Sequence, residues 1–161
     1  MDGSRIIRIQ LCELMTYPDG LCVIRVICET QISRLTMDLD EITYNIIGAA
    51  YKVHCELGPG LLEKIYEEAL AYQLCEDGMQ VETQVALPVF YRGHKLPSVY
   101  RLDLLVEDSV IVELKSVSTM TDLYRKQLLT YLKLTGKPVG LLMNFNVTNL
   151  RSGITRIVNN Y

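Results

Sequence analysis

Residues 101–117 read RLDLLVEDSVIVELKSV, two runs of branched aliphatic residues on either side of the polar triplet EDS. Such runs favour β-strands, and a short polar triplet between them favours a hairpin turn. If Glu107-Asp108-Ser109 forms a three-residue loop, Asp103 lies directly opposite Glu113, with Cβ atoms about 4.5–5.5 Å apart. Lys115 follows Glu113 by two residues and points to the same side of its strand. A two-residue loop would instead leave the two carboxylates diagonal to each other.

The alternate positions of this hairpin are apolar and predict a dense core face made of Leu102, Leu104, Val106, Val110, Val112 and Leu114. Carboxylates beside such a core have raised pKa values or destabilise the fold, unless a cation compensates them. Mg²⁺ is suited to this place, because it takes one or two carboxylates together with water and substrate phosphates. The spacing alone is equally compatible with an ordinary salt-bridge cluster on a solvated face.

The chain from residue 37 predicts the element order α-α-β-β-β-α-β. Two amphipathic helices are separated by Gly58-Pro59-Gly60, and strands follow with a turn at Arg92-Gly93-His94. A helix begins near Asp122 and stops before Gly136, PVGLLMNFNV follows as a buried strand, and LRSGITRIV offers a last short strand or edge. The apolar stripe predicted for the second helix consists of Leu62, Ile65, Tyr66, Ala69 and Leu70. This order predicts a single α/β domain with a mixed sheet covered by helices, not a doubly wound sheet.

The first 36 residues differ from the remainder. RIIRIQLCEL and LCVIRVIC are β-prone runs on either side of TYPDG, which predicts a hairpin. We divide the chain into an N-terminal extension, residues 1–36, and a domain, residues 37–161. Because a lone hairpin is marginally stable and the domain begins at Met37, we favour an upstream extension that results from a misassigned start over an added hairpin.

Composition narrows the classes of function. No apolar run approaches the ~20 residues that span a bilayer, and no signal peptide is present, so we expect a cytoplasmic protein without a membrane segment. Five scattered cysteines without C-x-x-C predict reduced thiols, neither disulfides nor a zinc cluster. A net charge of −3 restricts nucleic-acid contact to local patches. The candidate phosphate contacts are Arg92, Lys95, Arg101, Arg125, Lys126, Lys133 and Lys137, and we expect packed side chains at Tyr44, Tyr51, Tyr72, Tyr91 and Tyr100.

Three separated motifs resemble a known superfamily. D-x(9)-E-L-K, from Asp103 to Lys115, resembles the signature of the PD-(D/E)XK nucleases. Upstream, Gly60-x-x-Glu63-x-x-Tyr66 looks like the motif of the GxxExxY family within that superfamily. The spacing of Gln127 and Tyr131 resembles the Q-x-x-x-Y element of its exonuclease-like branch. Tyr124 stands where GxxExxY sequences often carry His.

The resemblance implies a restriction-endonuclease-like fold with a mixed central sheet and a divalent-metal site. Asp103, Glu113 and the carbonyl of Leu114 would bind Mg²⁺ or Mn²⁺. Glu63 would add a further acid, in direct contact with the metal or through water. No organic cofactor is implied.

The same resemblance implies roles for three more side chains. Lys115 would orient the attacking water or stabilise the charge that develops on phosphorus, and Gln127 and Tyr131 would steady Lys115 and the substrate. The resulting hypothesis is a metal-dependent nuclease that acts on DNA more than on RNA. The competing hypothesis is a non-catalytic binding or assembly module of the same fold. A homodimer or a separate protein partner stays open under both.

Overall fold

A computed structural model describes residues 13–16, 22–26 and 37–159. Seven strands form one sheet in the order β1-β2-β3-β4-β5-β6-β7, and three helices pack against it. The strands are β1 Glu13–Thr16, β2 Cys22–Val26, β3 Val81–Tyr91, β4 His94–Val106, β5 Val110–Lys115, β6 Val139–Asn144 and β7 Ile154–Val158. The helices are α1 Leu39–Leu57, α2 Glu63–Glu76 and α3 Asp122–Thr135, with a short 3₁₀ helix at Leu150–Gly153. Within the described residues, none of the helices combines the length and the apolar character that crossing a bilayer requires.

The sheet is mixed, which confirms the predicted architecture. β5 and β6 are parallel and are connected through α3, and the other neighbouring pairs are antiparallel. α1 and α2 cover one face of the sheet, and α3 covers the other. The fold is therefore three layers of helix, sheet and helix, with apolar cores on both sides of the central strands.

The β4–β5 hairpin has the register predicted for a three-residue loop. Leu104 pairs with Val112, and Val106 pairs with Val110. Continued by one residue, this register sets Asp103 opposite Glu113. The loop is held at its first residue, since the Glu107 carboxylate accepts a hydrogen bond of 2.7 Å from the backbone N–H of Gln80.

The predicted core face is correct for five of its six residues. Leu102 is the exception: it is buried on the α3 side of the sheet, whereas Leu104 is buried against α1 and α2. The change of side occurs at Asp103, where β4 stops pairing with β5. The opposite face is not solvated either, because Leu105 and Ile111 pack under α3. A salt-bridge cluster on a solvated face is therefore the wrong interpretation of this hairpin.

The apolar stripe predicted for α2 is also displaced. Leu62 is 76% exposed and Ile65 is 42% exposed, whereas Leu74 lies in the core with Tyr66 and Leu70. The prediction took the first apolar residues of the segment as inward, but Leu62 precedes the helix as its N-cap. The true inner face also includes an acidic residue, the buried Glu67.

The N-terminal strands extend the sheet. β1 pairs antiparallel with β2, and β2 pairs antiparallel with the first residues of β3. The turn predicted at TYPDG lies outside the described residues, as do residues 1–12 and 27–36. The division of the chain at residue 37 stays a prediction.

The distal parts of β3 and β4 form a two-stranded arm that we call the ribbon, residues 86–101. Its strands pair with each other beyond the points where β2 and β5 pair with them. A two-residue turn at Arg92-Gly93 joins them, with both residues at positive φ, as type I′ hairpin turns require. Tyr91 is exposed on the ribbon, as are Tyr44 and Tyr72 elsewhere, so the prediction that these three rings pack is wrong. Tyr100 is partly exposed, but its ring lies 5.2 Å from the ring of Tyr131.

Candidate active site at the end of strand β5

The segment Gly60-x-x-Glu63-x-x-Tyr66 fixes the start of α2. Gly60 has a φ of +101°, which disfavours any side chain. Tyr66 is fully buried, and its hydroxyl donates to the Gly58 carbonyl at 2.6 Å and accepts from the Leu61 N–H at 3.0 Å. The tyrosine therefore holds the loop between α1 and α2, and the loop sets Glu63 as the first residue of the helix.

A second contact ties this loop to the end of β5. The Ser116 hydroxyl donates a 2.6 Å hydrogen bond to the carbonyl of Leu61. Ser116 directly follows Lys115, the last residue of the strand. The start of α2 and the end of β5 are thus held together independently of Glu63 and Lys115.

Lys115 is the centre of the site. It is only 8% exposed, and its Nζ donates to Glu113 Oε1 at 2.9 Å and lies 3.4 Å from Glu63 Oε1. The same nitrogen contacts the carbonyl oxygen of Leu114. On the α3 side, the Tyr124 ring centroid is 5.8 Å from it, within the range of a cation–π interaction. Side chains from both helix layers therefore converge on one buried ammonium group.

Asp103 lies where β4 and β5 separate. Its Oδ2 accepts a 2.8 Å hydrogen bond from the backbone N–H of Leu114. The side chain thereby replaces a strand-to-strand backbone bond beyond the last paired residues. This contact fixes the carboxylate next to the Leu114 peptide, beside Glu113 and Lys115.

Burial controls the charges of this group. Desolvation, with the Glu113 charge second, raises the pKa of Asp103 from 3.8 to about 7. Desolvation also raises the pKa of Glu113, although the Lys115 ammonium opposes it. For Lys115 burial acts to lower the pKa, but Glu113 and Asp103 outweigh it and the pKa is raised. At neutral pH the lysine is therefore cationic, while Asp103 is only partly ionised.

The donor chemistry around Asp103 and Glu113 suits a hard cation. No three His, Cys, Asp or Glu side chains are grouped for metal binding in residues 13–16, 22–26 and 37–159. Two carboxylates and a backbone carbonyl form a different set, however, and it matches Mg²⁺, which prefers oxygen ligands and keeps several waters. Glu113 Oε2 is buried and has no hydrogen-bond partner in the described part of the chain. Buried polar atoms normally have a partner, so this oxygen is available to bind a ligand.

Gln127 and Tyr131 are adjacent on α3 and bind each other. The Gln127 amide donates to the Tyr131 hydroxyl at 2.5 Å. Desolvation raises the pKa of Tyr131, and the charges of Glu113 and Asp103 add to the rise, which places the phenol in the same electrostatic neighbourhood. No direct hydrogen bond joins Gln127 or Tyr131 to Lys115 among the described residues, whereas the ring of Tyr124, on the same helix, lies 5.8 Å from the Lys115 ammonium.

Sequence reasoning missed two polar groups beside the site. Glu67, buried on α2, accepts from Lys64 at 2.9 Å and from Gln84 at 2.8 Å, and its charge raises the pKa of Glu113. Its spacing from Glu63, one helical turn, was the available signal. Asn144 ends β6 and binds both the N–H and the carbonyl of Val117, just beyond Lys115. A polar residue closing an apolar strand was the signal there.

Comparisons with known proteins agree with this geometry at the level of family. Neither the comparison with curated proteins nor the comparison with solved structures gave a match. The model of the PD-(D/E)XK nuclease superfamily matches residues 40–157, which include all three helices and the strands from β3 to the last residues of β7. The chain therefore belongs to the PD-(D/E)XK nuclease superfamily.

Proposed function

We propose that the chain is a metal-dependent nuclease of the GxxExxY type, which hydrolyses phosphodiester bonds in nucleic acid, DNA in preference to RNA. One observation carries the proposal. A buried lysine contacts two acids, Glu113 and Glu63, next to a third acid, Asp103, at the end of a strand. A scaffold has no need for this arrangement, because an apolar core is at least as stable as a buried ion cluster.

Lys115 would serve as a fixed positive charge. Because its pKa is raised, the ammonium stays protonated at neutral pH and does not act as a base. It would donate hydrogen bonds to the phosphate oxygens as negative charge develops on them. The carboxylates of Glu63 and Glu113 hold the ammonium in place before the substrate arrives.

Asp103, Glu113 and the Leu114 carbonyl would hold Mg²⁺ or Mn²⁺, with Glu63 adding an acid directly or through water. A divalent cation there supplies Lewis acidity and lowers the pKa of water, both of which phosphodiester hydrolysis needs. The raised pKa values of the two carboxylates support this assignment, since a cation would relieve the cost of burying them ionised.

Gln127 and Tyr131 would position the substrate from the α3 side. Their mutual hydrogen bond restricts both side chains, and the raised pKa keeps the Tyr131 phenol neutral, so that it can donate to a phosphate oxygen. Tyr124 would help to keep Lys115 in place through its ring.

The test is cleavage of labelled single-stranded, double-stranded and nicked DNA and of RNA, each with Mg²⁺, Mn²⁺ or EDTA. Wild type is compared with Lys115→Ala and Asp103→Asn, and Lys52→Ala is the control, since Lys52 is an exposed cation on α1. We expect metal-dependent cutting that both site variants lose and the control keeps. No cutting by wild type with any metal, together with no Mn²⁺ binding by calorimetry, would refute the proposal.

A non-catalytic binding or assembly module is the second candidate. The observation that favours it is the row of exposed apolar side chains on the ribbon, including Phe90 and Tyr91. Under this hypothesis the acidic cluster is inherited, and activity belongs to a partner. A wild type that neither cuts nor binds metal would support it.

A further inference from the structure

The ribbon differs in charge from the rest of the chain. From Thr83 to Leu102 the sequence contains three cations, Arg92, Lys95 and Arg101, and no acid, on a chain whose net charge is −3. All three side chains are exposed. No ion pair joins them to a carboxylate in the described part of the chain. An anionic ligand would therefore be attracted to the ribbon.

The ribbon also exposes aromatic rings. Phe90 and Tyr91 are 59% and 61% exposed near the tip, and Tyr100 is 43% exposed near the base. The Arg92 guanidinium lies 5.5 Å from the Tyr91 ring centroid, so cation and ring are presented together. Exposed rings interleaved with cations are the arrangement by which proteins bind unpaired nucleotides, with bases stacked on rings and phosphates on cations.

The base of the ribbon leads to the active site. The Tyr100 and Tyr131 rings are 5.2 Å apart, and Tyr131 is bound to Gln127. From the turn to Arg101 is eight residues of strand, roughly 25 Å at the usual rise per residue. A strand lying along the ribbon would thus pass from its tip to the candidate catalytic groups.

Simpler explanations cover only part of these observations. Free strand edges are protected from association by charges, prolines and irregular pairing, and the ribbon has Lys95, Pro97 and an irregularity near Pro88. This explanation accounts for only one of the three exposed cations, Lys95. Ring stacking does not explain Phe90 and Tyr91, because no ring–ring contact involves either of them in the described part of the chain. A second copy of the ribbon would bring like charges together.

We propose that the ribbon binds a single-stranded segment of nucleic acid and delivers it to the site. Phe90 and Tyr91 are adjacent in β3 and point to opposite faces of the ribbon, so each stacks on a different unpaired base at the tip, and Tyr100 stacks on a further base near the ribbon's base. Three cations, Arg92, Lys95 and Arg101, contact phosphates. A duplex hides the faces of its bases, so the rings favour single strands. The inference rests on the proposed function for its choice of ligand.

The test is fluorescence anisotropy with a labelled 20-nucleotide single strand and its duplex, in EDTA so that nothing is cut. One variant combines Phe90→Ala and Tyr91→Ala, and another combines Arg92→Gln and Lys95→Gln. Tyr44→Ala and Lys52→Gln on α1 are matched controls, since both side chains are exposed there. All four substituted ribbon positions are exposed, and thermal melting checks that each variant is folded.

We expect the aromatic variant to weaken single-strand binding roughly tenfold or more and to leave duplex binding nearly unchanged. The charge variant should reduce the slope of log K against log salt by about 1.4, two phosphate contacts at about 0.7 each. The controls should bind as wild type does.

Wild type that does not bind the single strand, or ribbon variants that bind it normally, would overturn the inference. The inference would also fail if the aromatic variant bound duplex and single strand equally less tightly. It would fail as well if that variant lost only self-association, measured by ultracentrifugation. The nuclease proposal fails separately: ribbon-dependent binding in EDTA, with no cutting by wild type under any metal and no Mn²⁺ binding by calorimetry, refutes the enzyme and supports the ribbon. If the ribbon variants cut single strands normally, the proposed role of the ribbon is refuted and the nuclease proposal stands.

Discussion

The inner half of β4, residues 102–106, and its outer half, residues 94–101, are continuous in one strand but have opposite surroundings. The inner half lies between β3 and β5 and under helices on both faces, so four of its five side chains are buried. The outer half pairs with β3 and is largely exposed. Asp103 stands next to the junction. A single strand thus provides both the rigid frame of a site and an accessible arm that leads to it.

The largest effect should follow from removing the positive charge of Lys115, which lies beside Asp103 of the inner half. Lys115→Met keeps the apolar stem and removes the ammonium group, so we expect kcat to fall by on the order of 10²–10³. Steady-state kinetics on the best substrate measures this. Lys52→Met, on α1, should leave kcat unchanged. A raised KM with an unchanged kcat would mean that Lys115 only binds substrate.

The packing contrast predicts a difference in stability within one strand. Leu104→Ala opens a cavity in the core and should lower the free energy of unfolding by about 2–5 kcal/mol. Val99→Ala, in the exposed outer half, should change it by about 0.5 kcal/mol or less. Urea unfolding of both variants makes the comparison. Similar losses would show that the ribbon is packed in solution.

Protonation of Asp103 should make the inner half sensitive to pH. Its folded pKa, about 7, exceeds its ordinary 3.8, so the folded state holds the proton more tightly. The contribution of Asp103 to the free energy of unfolding is therefore complete below about pH 4 and is lost as the pH rises towards 7. The loss is at most on the order of 4 kcal/mol.

Thermal melting in EDTA from pH 5 to pH 8 tests this expectation. The melting temperature of wild type should fall across the range by more than that of Asp103→Asn, whose amide does not titrate. Glu113→Gln is the companion variant, because the raised pKa of Glu113 acts in the same direction. Parallel curves for wild type and both variants would contradict the prediction.

The smallest effect on stability should occur at the tip of the outer half. Arg92 has a positive φ of 51°, which Asn tolerates better, so Arg92→Asn should raise the free energy of unfolding by a few tenths of a kcal/mol or about 0.5 at most. The same change should weaken single-strand binding. A variant that loses stability and binding together would instead assign Arg92 a structural role.

The sequence allowed the register of the β4–β5 hairpin to be predicted more accurately than the packing around it. Loop length and alternation determined the register of β4 against β5, so the opposition of Asp103 and Glu113 followed from local rules. The side change at Leu102 and the burial of Glu67 did not follow, because both depend on the separation of strands and on the packing of α2. The exposed tyrosines were also missed. Strands rich in aromatic residues are normally covered by other parts of the protein, and nothing in the sequence shows that β3 and β4 extend past their neighbouring strands.

The Glu107-Asp108-Ser109 loop has a consequence for how such a gene can vary. Glu107 and Asp108 both adopt positive φ, and Asp108 is exposed and bound to Lys137. Replacing one of these residues alters a turn, but deleting one codon shifts β4 by a residue against β5, so that Asp103 no longer lies opposite Glu113. In a mutational library this loop should tolerate substitutions better than any change of length. Frame-preserving deletions there would be recorded as losses of activity although no proposed catalytic residue has been altered.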